Sequence, residues 1–187
     1  MIGDVTLKKS SSEGNLDQID FFLEKNGPKV DKIVIMTIGN ILRSDDGVGP
    51  MIFKELSLTG LYFPSILLIN AELSPENYLK TILDFKPSHV IIIDAIESKL
   101  KPGSILFFKN DEIEDKLFSQ SSTHMISILN LNNYLLQVNE NLKILNIGIQ
   151  VKSIDFGIQR IDSEVYESAI LLKDYLKNKL RQLFNIS

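Results

Sequence analysis

The sequence contains no cysteine among its 187 residues and only two histidines. The lack of cysteine excludes disulfide bonds and catalysis by a thiol, and it suits a protein of the reducing cytoplasm. An imidazole group, if the protein uses one, must come from His89 or His124. The search for chemically active side chains therefore concentrates on carboxylates and these two histidines.

An excess of positive charge is also missing. The chain carries 20 basic and 24 acidic residues, a net charge of −4, and no basic cluster stands out, so nucleic acid is not an expected partner. The longest uncharged apolar runs are far shorter than the ~20 residues of a membrane-spanning helix, and the first residues lack the pattern of a signal peptide. These absences predict a soluble, cytoplasmic protein without membrane insertion.

The apolar residues follow two periods that alternate along the chain. Short β-branched runs typical of buried strands are separated by segments with apolar residues every three to four positions, as in amphipathic helices. This alternation predicts one doubly wound α/β domain over residues 31–187, with helices on both faces of a mostly parallel sheet of about five strands. Residues 1–30 are predicted to form an N-terminal extension with a short amphipathic helix. The strands are expected at 32–38, 65–70, 89–94, 104–109 (at a sheet edge) and 143–149.

Carboxylates follow two of the predicted strands. Asp45 and Asp46 lie in a glycine-rich stretch, 39–49, directly after the first strand, and Asp94 ends the third. Because the carboxyl ends of parallel strands meet at one sheet edge, where open α/β sheets bind ligands, these acids are expected to lie close together. The glycines permit a tight backbone path and close approach by a partner.

A histidine completes this candidate site. His124 lies in a polar loop that leads into a predicted helix, whereas His89 opens a strand and is expected at the surface. Two carboxylates and one imidazole form a plausible three-ligand metal site, suited to zinc, nickel, iron or manganese. Structural roles remain alternatives at this stage: either acid of the pair could cap the following helix, Asp94 could be a turn acid, and His124 could be a buried structural histidine.

Several motifs together resemble one family. The pattern Gly-Asn-x-Leu-x-x-Asp-Asp-Gly-x-Gly, the strand end Ile-Ile-Asp-Ala-Ile and the loop Ser-Thr-His resemble the hydrogenase maturation proteases, most closely the hydrogenase 3 type maturation endopeptidases. Ser-Pro-Glu-Asn and Leu-Asn-Ile-Gly-Ile-Gln also fit that subgroup. These motifs stand at 39–49, 92–96, 122–124, 74–77 and 145–150.

The resemblance implies a specific reaction. Enzymes of this family cut a short C-terminal peptide from the large-subunit precursor of a nickel–iron hydrogenase after nickel has been inserted. Asp46, Asp94 and His124 match the three nickel-contacting positions, and the nickel is expected to arrive with the substrate. One departure concerns 70–73, where many relatives have a glycine pair after the second strand and this chain has Asn-Ala-Glu-Leu.

The residues themselves favour attack by water. The chain has no cysteine and no Gly-x-Ser-x-Gly elbow, so a carboxylate or a metal ion is expected to activate the water. Three protein ligands leave coordination positions open for the substrate, and the isolated protein is expected to retain metal weakly or not at all. The long connection 151–161 is expected to contact the substrate.

Two other protein classes remain as alternatives at this stage. A phosphoacceptor receiver-like signalling domain would also place acids at strand ends and could use Lys109, but Asp45 and Asp46 lie seven residues past the strand and His124 would have no role. A nucleotide-binding enzyme would need a glycine-rich phosphate loop after the first strand, and neither of the usual patterns is present.

Overall fold

The computed structural model describes residues 12–25, 29–108, 110, 123–157 and 160–186, without the side chains of 12–15, 25, 123 and 124. Within these residues, strands and helices alternate as the sequence predicts. The strands are β1 Ile33–Ile38, β2 Ile66–Glu72, β3 His89–Ile96, β4 Ile105–Phe108 and β5 Lys143–Gln150. The α-helices are α1 Ser12–Asp20, α2 Val48–Ser57, α3 Leu79–Phe85, α4 Thr123–Val138 and α5 Ser163–Phe184. One π-helical turn, Phe21–Lys25, follows α1, and short 3₁₀ turns, Ser44–Gly47 and Pro75–Tyr78, precede α2 and α3.

The five strands form one mostly parallel sheet. Their order is β2-β1-β3-β5-β4, and β4 pairs antiparallel with β5 at the edge. β1 pairs in parallel with both β2 and β3, and β3 pairs in parallel with β5. The predicted fold class, the strand number and the edge position of the fourth strand are thus confirmed.

Helices cover both faces of the sheet, because alternate residues of each strand point to opposite faces. Ile33 and Ile35 of β1 join one buried cluster with α1, α2 and α5. Val34 and Met36 join the second cluster, which contains residues of α3 and α4. The long helix α5 buries only one stripe of side chains, and no described helix is long and apolar enough to cross a bilayer.

Helix α1 is part of the domain core. Leu16 and Ile19 of α1 and Leu23 of the following turn are buried in the same cluster as α5. Lys179 of α5, itself nearly buried, forms ion pairs with the carboxylates of Asp20 (2.9 Å) and Glu24. The amphipathic helix predicted in the N-terminal extension therefore contributes to the hydrophobic core of the domain.

Two strands run two residues further than the sequence predicts. Strand β2 continues to Glu72, which adopts a left-handed conformation with φ of 52°. Strand β3 likewise runs two residues past Asp94 to Ile96.

Candidate active site

The two predicted acidic positions lie at the point where the chain reverses its direction across the sheet. From β1 the chain proceeds to β2 on one side, and from β3 it proceeds to β4 and β5 on the other. In doubly wound sheets this switch point, at the carboxyl ends of the strands, forms the ligand crevice. Asp46 lies in the 3₁₀ turn after β1, and that turn packs against β3, which carries Asp94.

Two glycines let the acidic loop, residues 39–49 with Asp45 and Asp46, fold tightly onto the end of β1. Gly39 has φ of +139°, and a Cβ atom at this position would lie 2.0 Å from the backbone oxygen of Asp46. A Cβ atom on Gly49 would lie 2.0 Å from the backbone oxygen of Ile38. Any larger residue would push the loop away from the strand, so these glycines determine where Asp46 stands.

Asp45 has a structural role that the sequence did not reveal. Its buried carboxylate accepts three backbone hydrogen bonds from the distant 151–162 connection: Lys152 N at 2.8 Å, Ser153 N at 3.1 Å and Asp162 N at 2.6 Å. Its own backbone N–H donates to Ser153 O at 3.1 Å. The alternative of helix capping is wrong for this pair, because α2 begins at Val48 and the N-cap position is Gly47, with no capping side chain. With its carboxylate used in this way, Asp45 holds two loops together and is not assigned to the chemistry.

Asp46 and Asp94 are both buried carboxylates at the switch point. Asp46 Oδ2 accepts a hydrogen bond from Asn40 N at 3.0 Å, which ties the carboxylate to the start of its own loop. Asp94 Oδ1 accepts from Ala95 N at 2.9 Å. In the alternation of β3, position 94 lies on the same sheet face as Ile92 and Ile96, the face that α4 covers.

His124 is the second residue of α4, and its side chain lies outside the described residues. The next residue, Met125, is buried in the cluster between α4 and the sheet. Among the side chains that the structure does describe, no three histidine, aspartate or glutamate residues form a group that could hold a metal ion. The three-residue site of Asp46, Asp94 and His124 therefore stays a prediction.

The prediction that His89 lies at the surface is wrong. His89 is fully buried at the start of β3, the sheet edge opposite the acids. The ring of Phe22 packs against the imidazole of His89 in an edge-to-face arrangement, with the ring centroids 5.2 Å apart. The Nδ1 atom of His89 lies 2.9 Å from Ser88 Oγ. Burial lowers the pKa of His89 to about 4, and the positive charge of Lys143 acts in the same direction. His89 is thus a neutral core residue.

The connection after β5 lies directly beside the acidic loop. Besides the bonds to Asp45, Gly157 N donates to Leu42 O at 2.8 Å, and the Arg43 side chain donates to Ile154 O at 3.3 Å. Ser44 Oγ donates to Arg160 O at 3.1 Å. The predicted substrate loop therefore flanks the acidic loop, although its contact with substrate stays a prediction.

Comparison with known proteins agrees with this architecture. The sequence profile of the hydrogenase maturation proteases matches residues 50–172 of this chain. The chain belongs to the hydrogenase maturation protease family. As a member of this family it is an endopeptidase, a hydrolase of peptide bonds, so the receiver-domain and nucleotide-binding alternatives are wrong.

Individual members of the family are similar in sequence and in structure. A Methanocaldococcus jannaschii protein assigned to the hydrogenase maturation proteases is 34% identical over 131 residues, 67% of this chain and 75% of that protein. The hydrogenase 3 maturation protease of Escherichia coli K12 is 27% identical over 125 residues, 66% of this chain and 75% of that protein. The crystal structure of HycI from Thermococcus kodakarensis superposes with a TM-score of 0.73 at 25% identity, covering 87% of this chain and 99% of that one.

Proposed function

We propose that this endopeptidase removes a C-terminal peptide from the nickel-loaded large-subunit precursor of a nickel–iron hydrogenase. We further propose that Asp46, Asp94 and His124 contact the nickel ion that the precursor carries. The observation that supports this most directly is the burial of Asp46 and Asp94 at the switch point, while Asp45 is engaged by the neighbouring loop.

The chemistry of the two acids favours a substrate that brings a cation. Buried carboxylates are costly unless a hydrogen-bond donor or a positive charge compensates them, and two carboxylates at one switch point repel each other when both are ionised. A divalent ion relieves that repulsion and is attracted by both groups. Carboxylate oxygens together with one imidazole nitrogen are donors that nickel accepts. A precursor without the ion would lose this attraction, so the site would discriminate against it.

Hydrolysis at this site would use water as the nucleophile. Asp46 or Asp94 would take the proton from the attacking water as the new C–O bond forms. That proton would then pass to the leaving nitrogen as the peptide C–N bond breaks. The substrate's ion would fix the scissile peptide near the carboxylates, which is a contribution to orientation rather than to the identity of the nucleophile.

Cleavage of matched precursors tests the proposal. The large-subunit precursors of one organism, purified from nickel-supplied and from nickel-depleted cells, are incubated with the enzyme, and mass spectrometry reads the loss of the C-terminal peptide. We expect cleavage only of the nickel-loaded form. Equal rates for both forms would refute nickel recognition and leave the endopeptidase assignment standing.

Variants of the proposed site residues give the second test. Asp46→Asn keeps the shape of the side chain and removes its charge, so cleavage should fall by about 100-fold or more. His124→Ala should have a similar effect. His89→Ala is the control: at the opposite sheet edge, it should leave cleavage per folded molecule nearly unchanged. Equal losses at both histidines would show that the wrong histidine was assigned to the site.

A further inference from the structure

Three large apolar side chains stand exposed beside the candidate active site. Ile41 and Leu42 belong to the acidic loop, and Phe156 belongs to the connection that follows β5. Phe156 is 74% exposed and Ile41 is 61% exposed. The hydrogen bond from Gly157 N to Leu42 O, 2.8 Å long, places the residue next to Phe156 against the backbone of the acidic loop. We call these three residues the apolar rim.

The loops that carry the apolar rim are held firmly in place. The carboxylate of Asp45 accepts three backbone hydrogen bonds across the two loops, and the side chains of Arg43 and Ser44 donate two more. Ser153 adds a local bond by accepting from Asp155 N at 3.1 Å. A preformed surface loses little conformational entropy when a partner binds, and exposed apolar side chains are common in the surfaces that bind partners.

The apolar rim lies within reach of any peptide bound at the acids. Asn40 N is 3.0 Å from the Asp46 carboxylate, and Ile41 is the next residue along the loop. An extended peptide advances about 3.3 Å per residue. A polypeptide that has its scissile bond at Asp46 and runs along the acidic loop therefore brings a residue within about two or three positions of that bond to the apolar rim.

We propose that the apolar rim is a subsite that receives an apolar side chain of the hydrogenase precursor, within about three residues of the scissile bond. This inference rests on the function proposed above. The occupant is a substrate side chain and not a second copy of this chain, because the rim adjoins Asn40, which binds the Asp46 carboxylate, and a copy docked there would compete with the substrate. The subsite supplies uniform binding, so it acts on KM rather than on kcat.

Serine variants of the rim test the subsite. Phe156→Ser and Ile41→Ser change exposed residues, so the fold should be retained with a change in Tm of no more than about 2 °C. KM for the nickel-loaded precursor should rise about tenfold in each variant, with kcat nearly unchanged. Leu58→Ser is the matched control: Leu58 is 73% exposed at the far end of α2, and its loss should leave KM unchanged.

Changes in the precursor identify the occupant. Each apolar residue within three positions of the cleavage site is replaced by serine in turn. One replacement should raise KM for the wild-type enzyme and have little further effect on the Phe156→Ser enzyme, because both changes remove the same contact.

The outcomes separate the two proposals. If the wild-type enzyme cleaves the precursor and the rim variants behave like Leu58→Ser, the subsite is refuted and the proposed function stands. If the wild-type enzyme is a dimer and the Phe156→Ser variant is a monomer with unchanged KM, the rim is an interface between copies and the subsite is refuted. If the wild-type enzyme cleaves no nickel-loaded precursor, the proposed function fails and the subsite fails with it.

Discussion

Replacing Asp45 by alanine separates the structural acid from the proposed catalytic acid. The substitution removes a buried carboxylate and leaves three backbone N–H groups without their acceptor: those of Lys152, Ser153 and Asp162. Each lost bond to a partly buried donor costs about 1 kcal/mol or more, so the free energy of unfolding should fall by about 3 kcal/mol. For a domain of this size, that loss lowers Tm by roughly 6–12 °C.

Thermal unfolding followed by circular dichroism measures this effect, with cleavage assayed well below the transition. Asp46→Asn is the matched comparison at the next position, and it should lose cleavage with a much smaller change in Tm. Asp45→Asn should lie between the wild type and Asp45→Ala in Tm, since its remaining carbonyl oxygen still accepts part of the hydrogen bonding. An unchanged Tm combined with abolished cleavage in Asp45→Ala would place Asp45 in the chemistry and refute our assignment of the pair.

Two further predictions concern stability. Because the pKa of buried His89 is lowered to about 4, below its usual value near 6.5, the folded state resists protonation. The free energy of unfolding should therefore decrease as pH falls from 6.5 towards 4, by about 2 kcal/mol at pH 5. Denaturant titrations of the wild type should show this decrease, and those of His89→Phe should show a smaller one over the same pH range. An equal pH dependence in the variant would contradict the assignment. Glu72 has φ of 52°, and this left-handed backbone conformation costs about 1 kcal/mol for any residue with a Cβ atom. Glu72→Gly should therefore raise Tm by about 2–4 °C in calorimetry, whereas Glu72→Ala should not. A rise in both variants would show that the lost charge, and not the backbone conformation, is the cause.

The apolar patterns of the sequence were sufficient for the architecture. Strands such as Ile33–Ile38 are buried on both faces and consist mostly of β-branched residues, while α5 repeats its apolar residues at helical spacing. These patterns are local, because they depend only on the hydrophobicity of successive side chains. The tight backbone path at Gly39 and Gly49 was also predictable, because a residue with a Cβ atom would clash with the neighbouring backbone at both positions.

The family resemblance singled out Asp46 as a nickel-contacting position, but the sequence did not reveal the role of Asp45, the acid beside it in the motif. Their difference depends on backbone donors in the 151–162 connection, more than 100 residues away along the chain. No local pattern reports such partners, since the donors are main-chain N–H groups that every residue except proline carries. Only the packing of the two loops against each other decided which carboxylate they share.

The two histidines show the same difference between what the sequence predicts and what tertiary packing decides. The segment before His89 suggested a surface strand end, but Phe22 of the N-terminal segment covers the imidazole and makes it a core residue. His124 was identified from a motif and stays a prediction for the site. The sequence determined the order of strands and helices along the chain and the residue types at the sheet edge, because these follow from local hydrophobicity and backbone preference. Tertiary structure decided which of those residues are buried, and which acid holds the loops together, because burial and hydrogen bonding depend on elements distant in the chain.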